Sequence, residues 1–307
     1  MKRSFLKMWA QQFYQKTFSR RALAYREEDL GRSAMVFSPH FDDETLGCGG
    51  TILRKTAAAA AVKIIFMTDG SKSHTHLISE AESSSIRRQE GLAAGRALGL
   101  KANDVILLDF EEAKLDRHQE AARERVEEIL ECQRPEEVFI PYHKEPLLWS
   151  ADHRATYQIV RTALAGLDQE TRVYEYPIWF WCHWPWAQLP LRRRRDIVRH
   201  LANHSFLHGV DLLRDFNRVV DVSAFLKQKR TALEEHKSQM TRLIPGVQWR
   251  TLSDVAGGEF LMCFFQDYEV FCAYRLCGRR MMGFDGDRSP VHRLPRLDED
   301  TVVRVQC

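Results

Sequence analysis

Several common signatures are missing from this 307-residue chain, and each absence narrows what it does. No run approaches the roughly eighteen consecutive apolar residues of a membrane-spanning helix. The seven cysteines are odd in number and scattered, with no C-x-x-C pair. That pattern excludes a disulfide framework and a zinc ribbon, and it points to a reducing, cytoplasmic setting. A formal net charge of +3 is too small to argue for nucleic acid as a partner. There is no internal repeat and no low-complexity linker. The first 30 residues begin with a basic pair but lack the apolar core and cleavage site of a signal peptide.

What is present suits one large α/β domain with additions, since 44% of the residues are hydrophobic. Short apolar runs at 34–38, 62–67, 105–108, 137–141 and 172–176 read as strands. Between them, 45–61, 80–98, 116–132 and 151–164 carry helical spacing. This alternation predicts a doubly wound, mostly parallel sheet. Residues 1–33 read as a helical N-terminal extension, 34–275 as the main domain with irregular C-terminal additions, and 276–307 as a tail. Residues 219–238 read as a strand end followed by a helix, and 260–265 and 270–274 as late strands. The first helix holds Phe5, Met8, Trp9, Phe13 and Phe18 among basic residues. It is expected either to pack on its own domain or to lie on an anionic membrane surface.

Chemistry concentrates where the first of these strands hands over to a helix. The stretch Ser38-Pro39-His40-Phe41-Asp42-Asp43-Glu44 puts an imidazole and three consecutive acids at one strand end. Open α/β sheets bind ligands at such ends. Like charges crowded there repel unless a cation sits among them, and imidazole with carboxylate suits zinc. An N-cap and acids in a first helical turn would explain Asp43 or Glu44, but not His40 and Asp42. A hydrolytic zinc site takes three protein ligands, so a third is needed from another strand end. His153, where the helix after the fourth strand begins, is the candidate, with His143 as its competitor.

The stretch 39–50 resembles the first motif of the PIG-L/LmbE-like de-N-acetylases, and Asp152-His153-Arg154-Ala155-Thr156 resembles their second. Thr68-Asp69-Gly70, Arg87 to Glu90 and His236-Lys237-Ser238-Gln239 are also similar, so the likeness spans roughly residues 34–240. It implies a Rossmann-like fold and hydrolysis of an N-acetyl group on an amino sugar that is free, nucleotide-linked or lipid-linked. By position His40, Asp43 and His153 would hold Zn2+, with Fe2+ or another divalent ion as the alternative, and Asp42 would be the general base. Two positions depart from the family pattern. Phe41 stands where a proline is usual, and Ser150 stands where a second histidine is common. His236, or else His143, would then act on the oxyanion or leaving group, unless His236 lies on a solvated helix face. Glu112 would hold sugar hydroxyls, and Arg87 would orient the substrate or pair with Glu90.

Outside these motifs, residues 176–186 contain four tryptophans, and Arg192 to Arg195 follow. The aromatic run would stack on sugars, line a lipid-accessible mouth, join two copies of the chain or simply cover the sheet. The arginines would meet a diphosphate, anionic lipid headgroups or only solvent. Two other functions compete. One is a methyltransferase using Leu46-Gly47-Cys48-Gly49-Gly50 as a nucleotide loop. The other is a sugar-binding protein disabled at Ser150.

Overall fold

The computed structural model describes residues 2–146, 151–187 and 208–284. It opens with helix α1 (Lys2–Arg21) and a two-residue strand β1 (Leu23–Ala24). Strand β2 (Ala34–Ser38), helix α2 (Asp43–Ala57) and strand β3 (Val62–Thr68) follow, then α3 (Glu80–Ala97) and β4 (Val105–Phe110). Next come α4 (Gln119–Gln133), β5 (Glu137–Pro141), α5 (Ala151–Gly166) and β6 (Glu170–Tyr176). The later part holds α6 (His208–Asp215), β7 (Arg218–Asp221), α7 (Leu226–Glu234), two single-turn helices (Lys237–Met240 and Glu259–Met262), β8 (Tyr268–Cys277) and β9 (Arg280–Met282).

One sheet joins the strands in the order β1-β7-β8-β6-β5-β2-β3-β4, with β9 beside β8. The run β6-β5-β2-β3-β4 is wholly parallel, as the alternation predicts, while β8 runs antiparallel to both β6 and β7. Every residue of β2 and of β5 is buried. That is why both read as continuous apolar runs: helices cover the two faces of a parallel sheet. One face packs Val36, Ile64 and Phe139 with α2 and the C-terminal additions. The other packs Phe37, Ile65 and Ile140 with α4 and α5.

Several boundaries differ from expectation for identifiable reasons. Helix α2 begins at Asp43 rather than Thr45, because the amides of Thr45 and Leu46 already bond to the Asp42 carbonyl. It ends before the alanine run is complete, where Ala59 turns left-handed at φ +58°. Helix α4 begins at Gln119, three residues late, since Leu115–Arg117 form a separate turn. Residues 260–265 are not a strand. They overlap the helical turn Glu259–Met262 and the turn after it, and Phe260 and Phe264, four apart, are both buried. The expected strand at 270–274 is the middle of β8.

Helix α1 packs on the domain through Ala10 and Phe18, which are buried. Gln11 Nε2 donates to the Pro185 carbonyl at 2.8 Å, Lys7 pairs with Glu259, and the Tyr14 and Trp186 rings meet. The tryptophan-rich run is therefore largely internal: Phe180, Trp181 and Cys182 are buried in the core. Arg192 to Arg195 lie outside the described residues. The sheet order reverses direction at the β5–β2 boundary, and the crevice there receives the loops that follow both strands.

Candidate active site

The loop after β2 is built to hold acids close together. The Pro39 carbonyl accepts from both the backbone amide and the hydroxyl of Thr68 at the end of β3. Phe41 is fully buried against Phe66, with ring centroids 4.4 Å apart, so it anchors the loop where a proline would only stiffen it. Asp42 then takes φ +125°, a conformation that L residues rarely adopt and that functional loops often retain. Its amide donates to Glu44 Oε2 at 3.0 Å, and Glu44 is fixed in turn by Ser38 and Thr45.

His40, Asp43 and His153 converge. Asp43 Oδ2 lies 3.2 Å from His40 Nδ1 and 3.2 Å from His153 Nε2. The three ligand atoms all fall within 4.8 Å of one another. His153 is completely buried, yet neither of its ring nitrogens makes a hydrogen bond. A buried imidazole that faces a carboxylate without a well-formed hydrogen bond is costly, and a divalent cation between these three side chains would satisfy it. The N,N,O donor set also fits such an ion.

Asp152, beside His153 at the start of α5, faces the opposite side of His40. Its Oδ2 is 3.2 Å from His40 Nε2, and it also accepts from the amides of Ala113 and Leu115. A carboxylate on Nε2 fixes the proton there and turns the Nδ1 lone pair toward Asp43. Burial opposes a charge on His40, but Asp152 and Asp43 outweigh it and hold the imidazole well above its ordinary 6.5 in the ion-free protein. Burial likewise opposes ionisation of Asp43, and His153 and His40 overcome it, leaving the carboxyl far below the usual range. Asp42 goes the other way. Burial pushes it up to about 7, although the Arg87 guanidinium, 3.4 Å away, pulls down.

A cavity of about 420 Å3 opens over these groups. Its wall includes His40, Asp42, Asp43, Arg87, Glu112, Asp152 and Gln239, with Trp179 and Phe260 on one side. The last two rings are stacked, 5.2 Å apart and 13° from parallel.

Residues 35–164 match the PIG-L family, described as GlcNAc-PI de-N-acetylase. A diacetylchitobiose deacetylase of Thermococcus kodakarensis is 27% identical over 210 residues, covering 68% of this chain and 70% of that protein. In solved structures, the fold is similar to the N,N'-diacetylchitobiose deacetylase of Pyrococcus horikoshii, with a TM-score of 0.58 at 20% identity. That match covers 80% of this chain and 84% of the other. It is also similar to the A40926 pseudoaglycone deacetylase, with a TM-score of 0.52 at 18% identity over 80% of this chain and 98% of that one.

The other expected site residues are distributed unevenly. Glu112 reaches the cavity, its Oε1 lying 3.9 Å from His40 Nε2 while Oε2 accepts from the Lys72 amide. Arg87 bonds to the Phe41 carbonyl and sits beside Asp42. Glu90, one turn on, is engaged by the amide and hydroxyl of Ser238 instead. His143 is not part of the cavity wall: its Nδ1 is 2.6 Å from Glu175 Oε2, on the β6 side of the crevice. His236 is neither on a solvated face nor on the cavity wall. It is fully buried, with Nε2 2.9 Å from Glu44 Oε1, one layer behind Asp42. Ser150 lies outside the described residues. The glycines of α2 serve packing rather than a nucleotide: a Cβ on Gly47 would sit 2.4 Å from the Tyr176 ring, and one on Gly50 2.5 Å from Val222. Asp152, Gln239 and Ser73 are cavity residues to which no role was assigned from sequence, although Asp152 and Gln239 lie within the quoted motifs. For Asp152 the available signal was adjacency to His153.

Proposed function

We propose that this chain hydrolyses the N-acetyl group of an amino-sugar substrate, releasing acetate and a free amine. The observation that carries the reading is the buried His153, its ring nitrogens without a hydrogen bond, converging with Asp43 and His40 beneath an open polar cavity. His40, Asp43 and His153 would hold the divalent ion, with zinc favoured by the donor set and Fe2+ compatible with it. Bound there, the ion would supply Lewis acidity, polarising the acetamide carbonyl and making water a better nucleophile near neutral pH.

The remaining work falls to the chain's own side chains. Asp42 is the base that takes the proton of the attacking water as the new C–O bond forms. With His236 turned toward Glu44, Asp42 is also the acid in the cavity that returns this proton to the departing nitrogen as the C–N bond breaks. Arg87 holds Asp42 in place and favours its ionised form. Glu112 and Gln239 offer an acceptor and an amide to sugar hydroxyls, and the Trp179–Phe260 stack gives a flat apolar wall suited to a sugar face. Curated and solved relatives named as deacetylases support the same class of reaction.

The test is acetate release from a panel of N-acetylated amino sugars, free, nucleotide-linked and lipid-linked, after loading with Zn2+ or Fe2+. The expected result is release by the wild type and none by Asp42→Asn with metal still bound. A protein that takes up no stoichiometric divalent ion would overturn the reading.

A further inference from the structure

We propose that the outward face of α1 is a docking surface for an anionic phospholipid bilayer. The inner face already has its partners in Ala10, Tyr14 and Phe18, which pack on the domain. The opposite face keeps five large apolar side chains in water: Phe5 is 74% exposed, Leu6 56%, Met8 54%, Trp9 57% and Phe13 49%. Phe5, Trp9 and Phe13 form one row at four-residue spacing, and the Trp9 and Phe13 rings stack on each other. Leaving so much contiguous apolar surface in water is unfavourable, and such a patch marks an interaction site.

Charge selects the partner. Lys16 and Arg20, both exposed, lie seven residues on from Trp9 and Phe13 and so continue the same face. Residues 1–26 contain seven Lys and Arg and no Asp or Glu, whereas the rest of the chain has 38 against 42. The positive charge is thus gathered on this segment of an otherwise acidic protein. Aromatic residues bordered by lysine and arginine on a helix with no acids suit the headgroup boundary of an anionic membrane. A second copy of the chain would bring a second cluster of the same sign against the first. Among the described residues no helix is long and apolar enough to cross a membrane, so α1 would lie in the interface plane. A cavity of about 350 Å3 opens beside this face, with the exposed Met8 and Met262 among its lining residues.

The experiment is co-sedimentation of the purified chain with vesicles of phosphatidylcholine alone or mixed with phosphatidylglycerol, alongside light scattering in solution. Wild type is expected to bind the anionic vesicles, with a blue shift of tryptophan emission and weakening at high salt. Phe5→Ser/Trp9→Ser/Phe13→Ser should lose at least about tenfold in binding. Lys16→Glu/Arg20→Glu should lose about fivefold or more per charge. Thermal unfolding measured alongside checks that each variant is folded, and the exposed Phe5, Trp9, Phe13 and Arg20 should leave it unchanged. Absence of wild-type binding, or equal binding by both variants, overturns the proposal. A dimer that the triple serine variant dissolves, without vesicle binding, assigns the face to a second copy instead. None of these readouts requires deacetylase activity, so they stand or fall separately from the catalytic reading.

Discussion

His40 and Asp152 stand 3.2 Å apart, imidazole Nε2 to carboxylate Oδ2, bridging the end of β2 and the start of α5. The contact sets which nitrogen of His40 keeps its proton and therefore which one is free to face Asp43. Asp152→Asn removes the charge and keeps an acceptor at one of the two positions, since Ala113 donates to Oδ2 and Leu115 to Oδ1. Affinity for the divalent ion should fall about ten- to a hundredfold, measured by competition with a chelator. Unchanged affinity would mean that Asp152 only ties down the loop after β4.

The neighbouring acids should separate cleanly. Asp43→Asn is expected to lose the bound ion and all acetate release together. Asp42→Asn should keep the ion and lose about a hundred- to ten-thousandfold in kcat. Metal analysis alongside turnover distinguishes the two, and loss of metal from the Asp42 variant would refute the division of labour.

His236 acts on Asp42 through charge. Its imidazole is raised above the ordinary 6.5, since burial opposes the charge but Glu44 outweighs it, and that charge in turn lowers the Asp42 pKa. His236→Gln retains a donor for Glu44 and removes the positive charge. The acid limb of the kcat/KM profile should therefore move to higher pH. A uniform drop at every pH would indicate a packing role alone.

Glu145 gives a stability prediction away from the ligands. It is buried under the turn that carries Trp179, with one oxygen accepting from the Ile178 amide and the other unpartnered. Burial pushes its carboxyl up to about 8, and a backbone amide such as that of Ile178 pulls only weakly against this. A carboxyl raised on folding stabilises fully below its ordinary 4.5, and that contribution is lost as pH rises through about 8. The melting temperature should decline across that window. Glu145→Gln, which mimics the protonated form, should flatten the decline.

Gly47→Ala should cost about 1–3 kcal/mol in urea unfolding, because the new Cβ meets the buried Tyr176 ring at 2.4 Å. Gly166→Ala, with nothing within 4 Å, is the matched control and should be near neutral.

Much of this architecture can be read from the chain itself, and the exceptions share a cause. The strands β2, β3 and β5 are legible because burial on both faces leaves mostly apolar residues there, with polar ones such as Ser38, Lys63 and Glu137 near the ends. His40, Asp43 and His153 are legible because strand ends and helix starts fix where their side chains go. His236 was not, because it sits among Glu and Lys on a sequence that resembles a solvated helix. Lys229, seven residues earlier, is just as buried, paired with Glu269 on β8. Charge patterns report exposure only where no distant partner exists, and here the partners lie 192 and 40 residues away in sequence. The aromatic run at 260–265 failed differently. Phe260, Phe264 and Phe265 suit a strand by propensity, and only their packing partners decide for a helical turn.

The sheet order carries a consequence for how the protein is made. Residues 23–24 pair with residues 218–219, and that strand reaches the rest of the sheet only across β8, at 268–277. A ribosome therefore releases α1 and β1 long before their place in the sheet exists. The segment that emerges early is among the last to be seated, and until then Ala10 and Phe18 on its inner face lack the cover they have in the folded protein.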